Sequence, residues 1–267
     1  MPSVSNVAIG SNMAAAAASK ARHGMNESIA RLSTGVRAMY GADAAGHSVG
    51  SALKADGAGY SMAARNIEDG ISYLQMGESV LLEVANLATR LRELGIQADN
   101  AELQSTADIA ALDAEAVLIG DTIDQILDKT DFNTVEVVDS AASKSVAINT
   151  GHLSTSANNF TIGPATAVTA MAGTTDAAGA DGEADTFLGK VAEALGNIAA
   201  DLTALKGMQG AVAATGANMA AAGARLMDTD FALETAELAK NSVLNQAAMS
   251  MASQANQAQS AILAVLQ

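Results

Sequence analysis

The 267-residue chain has no cysteine and no tryptophan, and aromatic residues make up only 3% of it. Without cysteine there is no disulfide framework and no cysteine-ligated metal site. Small-molecule pockets are lined largely by hydrophobic and aromatic groups, so a chain with so few aromatic side chains is poor material for a deep ligand pocket. These absences argue against a protein whose function is carried by a buried ligand.

Basic residues are also scarce, since 14 Lys and Arg stand against 29 Asp and Glu and give a net charge of −15. Binding to nucleic acid requires a basic face, and so does binding to an anionic membrane surface, so we expect neither partner. No apolar run approaches the roughly 18 residues of a transmembrane helix. No Lys or Arg precedes Lys20 and no continuous apolar run follows the start, so we do not expect a cleaved secretory signal.

What the chain has in abundance is alanine, which favours helix because it loses no side-chain entropy there, yet buries little area. Apolar or small residues recur at alternating spacings of three and four in three segments, 67–95, 109–126 and 191–226. This spacing is typical of a coiled-coil seam. The fold class predicted is mainly α, a long antiparallel coiled coil or helical bundle formed by the N- and C-terminal segments, with a small β-hairpin region.

The two ends of the chain carry opposite charge and then lose charge altogether. The charged residues of 1–42 are mostly basic, and those of 228–267 are mostly acidic. The outermost segments, 1–19 and 241–267, contain no charged side chain. Solvated tails usually carry charge. The last segment keeps a three-and-four stripe of Leu244, Ala248, Met251, Ala255, Ala258, Ile262 and Val265. We therefore expect both ends to be disordered in the free monomer and to become helical when buried against other chains.

The middle of the chain breaks the helical pattern. β-branched residues alternate with polar ones across 132–165, which predicts one or two short β-hairpins, and 166–187 has no periodicity. The predicted domains are therefore 1–42 with 228–267 as an inner coiled coil, 43–131 with 188–227 as a helical bundle, and 132–187 as a hairpin and loop region.

No pattern for catalysis is present. The three histidines do not belong to an H-E-x-x-H motif, and Gly189-Lys190 is followed by Val191 where a P-loop has Ser or Thr. The twelve methionines include Met219 and Met251 on helical stripes, which favours a core or a subunit interface over a cofactor site. We predict no enzyme activity, no catalytic residues, no cofactor and no metal site.

Three blocks carry a resemblance to a known family: "ARLSTGVRAMYGADAAGHSVG", "ARNIEDGISYLQMGESVLLEVANLATRLRELGIQA" and the terminal "DTDFALETAELAKNSVLNQAAMSMASQANQAQSAILAVLQ". In this order and near both ends, they resemble bacterial flagellin over about residues 1–135 and 188–267. The resemblance implies paired termini that form an inner coiled-coil domain and a helical domain with a β-hairpin. The short middle implies a minimal form without outer domains. One departure is Thr134 in "FNT", where the family pattern has "FNG".

The stretch from Ser33 to Gly46 is, by this resemblance, the link between the inner helix and the next domain. Gly35 and Gly41 can end a helix with positive φ, and Asp43 can cap the next helix. Arg31 and Arg37 on either side of Gly35 are expected to pair with acids of the C-terminal arm, in the same or a neighbouring chain; these acids are Asp228, Asp230 and Glu234. The predicted subunit-interface residues are Arg31, Arg37, Leu244, Met251, Ile262 and Val265.

The function implied is a structural subunit that self-assembles into the flagellar filament for swimming motility. The chain would act outside the cell, exported without a cleaved signal peptide through the flagellar type III apparatus. Expected partners are further copies of the chain, an export chaperone at the C-terminal arm, and hook-associated and cap proteins. The segment "TRLRELGIQ" matches a helix recognised by a vertebrate Toll-like receptor; the residues implied are Arg90, Glu93, Leu94, Gln97 and Glu115.

Two alternatives stay open at this point. A hook–filament junction protein shares the same terminal blocks, and a coiled-coil adaptor would bind partner helices without polymerising.

Overall fold

The computed structural model describes residues 2–37, 43–138, 144–153, 159–164, 168 and 176–266. Over these residues the helices are α1 (Pro2–Thr34), α2 (Ala44–Ala98), α3 (Thr106–Lys129), α4 (Ala180–Met227) and α5 (Phe231–Leu266). Short strands lie between α3 and α4: β1 (Asp131–Phe132), β2 (Val135–Glu136), β3 (Val146–Asn149) and β4 (Asn159–Ile162). The predicted mainly α fold with a small hairpin region is confirmed.

The chain divides into two compact units. Unit 1 comprises residues 1–55 and 219–267, and unit 2 comprises residues 56–218. Unit 1 thus includes 43–55 and 219–227, which the sequence assigned to the helical bundle, because within unit 1 Gly50 of α2 lies against Met227 of α4. The β-strands belong to unit 2 together with the helices around them. The division of the chain into three domains, as predicted from the sequence, remains a prediction.

The coiled-coil spacing read from the sequence marks the core of unit 2. Of the nine seam positions from Ile67 to Gly95, eight are buried and Ile71 is half-buried. They join buried residues of α3 and α4 in one apolar cluster, whose largest members include Leu74, Leu81, Leu91, Ile123, Leu127, Ile198 and Leu205. Each fully buried side chain of this size contributes about 1.5–3 kcal/mol, so unit 2 has a conventional core.

Contacts along α2 fix the direction of its neighbours. Gly70 of α2 lies beside Leu205 of α4, and Gly95, further along α2, lies beside Asp181 at the start of α4. Likewise Tyr73 meets Phe132 at a ring-centroid distance of 6.0 Å, just beyond the end of α3, and Arg90 meets Glu115 earlier in α3. Both α3 and α4 therefore run antiparallel to α2.

Each strand pair forms a two-stranded antiparallel sheet, β1 with β2 and β3 with β4. Buried residues from this region, Val137, Ile148 and Ile162, join the helical core. The Tyr73 hydroxyl of α2 donates a hydrogen bond of 3.1 Å to the carbonyl of Glu136, and burial raises the pKa of Tyr73. The hairpins therefore cover part of the helix surface, which agrees with the predicted hairpins at 132–165.

The loop between β1 and β2 contains the Thr134 noted above. Asn133 and Thr134 have φ of 50° and 67°, so both central residues of this two-residue loop have positive φ, as a type I′ turn requires. Asn tolerates this region, but a β-branched residue such as Thr is strained there, because the left-handed conformation costs an L-residue about 1–2 kcal/mol. A glycine at this position would remove the strain.

We expect Thr134→Gly to stabilise unit 2 by about 1 kcal/mol, because it relieves the positive-φ strain. The matched control is Thr203→Gly, at an exposed position inside α4, which should destabilise because glycine disfavours helix. Chemical denaturation followed by circular dichroism measures both changes. An unchanged or lower stability of Thr134→Gly would contradict the strain assigned to this turn.

Candidate assembly surface

Unit 1 is built on the antiparallel pairing of α1 with α5. Gly24 of α1 lies against Asn241 of α5, and Arg31 lies against Glu234. The residue number thus rises in α1 as it falls in α5. An added Cβ at Gly24 would stand 2.7 Å from Nδ2 of Asn241, so a larger residue here would force the Asn241 side chain to shift.

The seam between these helices is lined by small and polar residues. On α1 the buried positions are Ala14, Ala18, Ala21 and Ser28; on α5 they are Glu234 and Ala248, flanked by the half-buried Leu238, Asn241, Asn245, Ala252 and Ala255. Both series follow a three-and-four spacing, which is the coiled-coil repeat. Alanine buries little apolar area, so this seam brings the helices close while contributing little hydrophobic stabilisation.

Many large apolar residues of unit 1 lie outside that seam and are exposed. Leu244 is 49% exposed, Met251 is 55% exposed and Met13 is 69% exposed. Further exposed large apolar residues in unit 1 are Ile9, Ile29, Val49, Phe231, Leu233, Val243 and Met249. So many exposed large apolar residues on one helix pair favour a surface that binds a partner.

The stripe predicted on α5 is therefore only partly the internal seam. Ala248 and Ala255 of that stripe face α1, whereas Leu244 and Met251 are exposed. The side chains of Ile262 and Val265 lie outside the described residues. The predicted stripe did not separate the internal seam from the exposed face, because alanine and larger apolar residues alternate within the same three-and-four spacing. The seam could be identified from the buried alanines of α1, which recur at spacings of four and three residues.

The end of the seam near the interhelical links is polar. Glu234 is only 8% exposed, and its Oε1 lies 3.6 Å from Nη1 of Arg31. Among the described residues, Oε1 of Glu234 and Oδ1 of Asn245 are buried without a hydrogen-bond partner. Because an uncompensated buried carboxylate is costly, the Arg31 charge is needed to hold Glu234 in this position.

The two links that follow α1 and precede α5 are paired with each other. Gly35 ends α1 with φ of 70°, as predicted, and its carbonyl accepts a hydrogen bond of 2.9 Å from the amide of Thr229. The amide of Arg37 donates to the carbonyl of Met227 at 2.7 Å. These two bonds flank a β-bridge between Val36 and Asp228.

Asp43 caps α2 as predicted, because its Oδ1 accepts from the amide of Gly46 at 3.0 Å. Gly41, the other predicted helix-ending residue, lies outside the described residues. Asp230 performs the same role for α5, since its Oδ1 accepts from the amides of Ala232 at 2.9 Å and Leu233 at 3.2 Å.

The two arginines have different partners. Arg31 meets Glu234 of the C-terminal arm, as expected. Arg37 instead pairs with Asp43 at 3.0 Å and donates to the carbonyl of Leu226 at 3.1 Å. Asp228 pairs with Lys54 at 2.8 Å, a partner the sequence reading missed. Within the chain, Arg37 therefore forms a local ion pair with Asp43, which lies next to the linker and caps α2, and the predicted pairing with an acid of the same chain's arm is not formed. Pairing of Arg37 with the arm of a neighbouring chain stays a prediction.

In unit 2 the residues matched to receptor recognition form an ion-pair cluster at the surface. Nη2 of Arg90 lies 2.7 Å from Oε1 of Glu115, and Nη1 lies 3.4 Å from Oε2 of Glu93. The hydrogen bond and charge of Glu115 raise the pKa of Arg90, with Glu93 adding to the effect. Gln97 is exposed. Leu94 is 0% exposed and belongs to the helical core, so the surface role predicted for its side chain does not fit.

Clusters of three or more metal-ligating side chains are absent from the described part of the chain. The helices searched include none that is long and apolar enough to span a membrane. The described residues of unit 1 form a helix pair with an alanine-rich seam, and this pair leaves large apolar side chains exposed at its surface. Such an arrangement defines a structural, coiled-coil class of protein.

Comparison with known proteins identifies the family. The model of the bacterial flagellin N-terminal helical region matches residues 5–143, and that of the C-terminal helical region matches residues 183–266. A flagellin of Halalkalibacterium halodurans is 32% identical over 244 residues, covering 88% of this chain and 89% of the relative. A flagellar filament core protein of Brachyspira hyodysenteriae is 27% identical over 264 residues, covering 91% and 92%.

The chain belongs to the bacterial flagellin family. It is therefore a structural protein, a filament subunit of the bacterial flagellum, and the junction-protein and adaptor alternatives are not favoured. The crystal structure of Bacillus cereus flagellin aligns with 58% of this chain and 88% of that chain at 26% identity and a TM-score of 0.38. The family assignment rests on the sequence matches.

We expect Arg31→Ala to weaken the assembled protein by about 1–3 kcal/mol, because it leaves the buried Glu234 without its cation. The control is Arg37→Ala, which removes a half-exposed ion pair and should cost about 0–1 kcal/mol. The midpoint of thermal depolymerisation, followed by light scattering, measures both. Equal effects of the two substitutions, or no partial recovery in the double variant Arg31→Glu with Glu234→Arg, would contradict the role assigned to this pair.

Proposed function

We propose that this flagellin polymerises through unit 1, with the outward apolar faces of α1 and α5 buried against neighbouring copies. One observation carries the proposal: the buried seam positions of the helix pair are mostly alanine, whereas Leu233, Val243, Leu244, Met13, Met249 and Met251 are about half exposed or more. A monomer would maximise its stability with the opposite arrangement. The exposed faces are therefore interpreted as the half of a larger core that other subunits complete.

The magnitudes favour this interpretation. Full burial of one large apolar side chain contributes roughly 1.5–3 kcal/mol. Association of two proteins costs an estimated 4–15 kcal/mol in lost freedom of motion, by general estimates. A single exposed residue cannot offset that cost. The set of exposed residues on α1 and α5 is large enough to do so when several are buried together.

The predicted interface residues take distinct parts in this proposal. Leu244 and Met251 contact the neighbouring copy directly, and Ile262 and Val265 continue their stripe in sequence. Arg31 acts by positioning α5, since its partner Glu234 is in the same chain. Arg37 acts by holding the linker through Asp43.

The same exposed arm needs protection before assembly. We propose that an export chaperone covers the uncharged C-terminal arm, and that hook-associated and cap proteins contact the chain at the ends of the filament. The chain is proposed to leave the cell without a cleaved signal peptide. The transition of 241–267 from disorder in a verified monomer to helix on assembly also remains a prediction, and protected amide exchange of that segment in the monomer would contradict it.

We expect the purified chain to form long uniform filaments after seeding, seen by negative-stain electron microscopy. Deletion of 241–267 should abolish them, and Leu244→Ser combined with Met251→Ser should reduce them severely, because polar groups would replace the apolar contacts. Leu103→Ser, at an 88% exposed position of unit 2, is the control and should still polymerise. Soluble small oligomers from the unmodified chain would contradict the proposal.

A second proposal concerns recognition of the free subunit by a vertebrate Toll-like receptor. The observation in favour is the exposed cluster of Arg90, Glu93 and Glu115, with Gln97 nearby on the same helix. Their side chains are available at the surface of unit 2 and carry both signs of charge, which favours specific polar contacts.

In a reporter-cell assay we expect the purified monomer to activate the receptor, with Arg90→Ala lowering the potency about tenfold or more, roughly 1.4 kcal/mol. Arg65→Ala, which removes another exposed arginine of α2, should have little effect. A silent monomer, or equal potency of the two variants, would rule out this recognition role for Arg90.

A further inference from the structure

Methionine is the only sulfur-containing residue of this chain, which has 12 Met, no Cys and no Trp. Of the nine methionines whose side chains are described, only Met227 is buried, while Met13, Met62, Met249 and Met251 are all more than half exposed. In the absence of thiols, the thioether of exposed methionine is the group that peroxides oxidise most readily. Three of these four methionines lie in unit 1.

Because α1 and α5 are paired, those three methionines lie at about the same height along the axis of the helix pair. The contacts Gly24–Asn241 and Arg31–Glu234 are the same number of residues apart in both helices. Continued along the pair, this register sets Met13 level with Ala252. Met249 and Met251 are then within one helical turn, about 3.6 residues, of that level.

Two surface grooves run along the two sides, or flanks, of the seam between α1 and α5. They show which of the three methionines lie on the same flank. One groove is lined by the seam residues Ser28 and Asn241 and mainly by residues that precede seam positions, among them Lys20, Glu27 and Glu237; Ser19, which follows Ala18, also lines it. The groove on the other flank is lined by residues that directly follow seam positions; they include Ala15, Arg22, Met249 and Ser253.

Met13 precedes the seam residue Ala14, and Met251 precedes the seam residue Ala252. Both therefore lie on the first flank, together with Leu244, whereas Met249 lies on the other. Once α1 and α5 are paired, two exposed thioethers, one from each helix, thus lie at the same height on the same outward face.

We propose that Met13 and Met251 form an oxidation-sensitive site, at which hydrogen peroxide converts both residues to methionine sulfoxide in the unassembled subunit and thereby blocks polymerisation. This inference rests on the proposed function, in which the same face is buried between subunits. In each oxidation the sulfur donates an electron pair to one peroxide oxygen. The S–O bond forms as the O–O bond breaks, and the other oxygen leaves as water after proton transfer.

The consequence for assembly follows from the polarity of the product. A sulfoxide is polar and accepts hydrogen bonds, so burying it against an apolar neighbour removes its water without supplying a donor. Assembly also protects the site, because a thioether buried between subunits is shielded from peroxide. Oxidation and polymerisation therefore exclude one another.

The test treats verified monomer with hydrogen peroxide, quantifies sulfoxide at each methionine by peptide mass spectrometry, and measures seeded polymerisation. The critical concentration should rise about tenfold or more, which corresponds to roughly 1.4 kcal/mol. Methionine sulfoxide reductases of both epimer specificities should restore assembly, since they reverse only this modification.

The variant Met13→Leu with Met251→Leu should polymerise and resist peroxide, because leucine keeps the apolar volume and lacks the sulfur. The control Met62→Leu, in unit 2, should remain sensitive. If the double variant does not assemble, the proposal is tested by comparing the rates at which Met13 and Met251 are oxidised in wild-type monomer and in wild-type filament. Met13 and Met251 should be oxidised at least several-fold more slowly in filaments, normalised to denatured chain.

Polymerisation of untreated protein together with normal assembly of protein oxidised at both sites would overturn this inference alone. Persistent peroxide sensitivity of the double variant, or equal oxidation rates in monomer and filament, would do the same. Failure of untreated wild type to polymerise would contradict the proposed function, and this inference with it.

Discussion

The close approach of α1 and α5 is the constraint on which unit 1 depends. The two helices meet through Ala14, Ala18 and Ala21 on one side and Ala248 on the other, and Gly24 packs directly against the Asn241 side chain. Small residues permit a narrow separation but bury little apolar area. A helix pair of this kind is geometrically specified and energetically weak, so its stability has to be completed from outside, where the larger side chains are.

Polar groups at one end of the seam add specificity to this weak pairing. Arg31 and Glu234 meet at a nearly buried position, and Gly35 and Thr229 join the two links through their backbone. A shift of α5 by even one residue would separate these groups and leave the Glu234 carboxylate without its cation. Polar residues in a coiled-coil seam fix register at some cost in stability. The alanine part of the seam, by contrast, offers similar contacts in several registers.

Unit 2 is stabilised by burial of large apolar side chains, and there the spacing of apolar residues in the sequence predicted the buried positions. Its seam consists of large apolar residues such as Leu74, Leu81 and Leu91, whose burial dominates every alternative, so a periodic pattern predicts the buried face directly. On α5 the predicted stripe combines the exposed Leu244 and Met251 with the seam residues Ala248 and Ala255. The pattern there records two faces of one helix: an internal seam of small residues, and an external stripe of large ones.

The amino-acid sequence by itself determined the helical class, the two apolar seams of unit 2 on α2 and α4, the hairpins, and the caps at Gly35 and Asp43, because these depend on local propensity and on strong hydrophobic periodicity. Only the tertiary structure decided which charges meet. Arg37 pairs with Asp43, six residues further along the chain, and Lys54 pairs with Asp228, because the paired links bring these two distant residues together. It also decided that Leu94 is core and that Met13 and Met251 share one outward face, since a side chain's environment depends on which helix packs beside it and in which register.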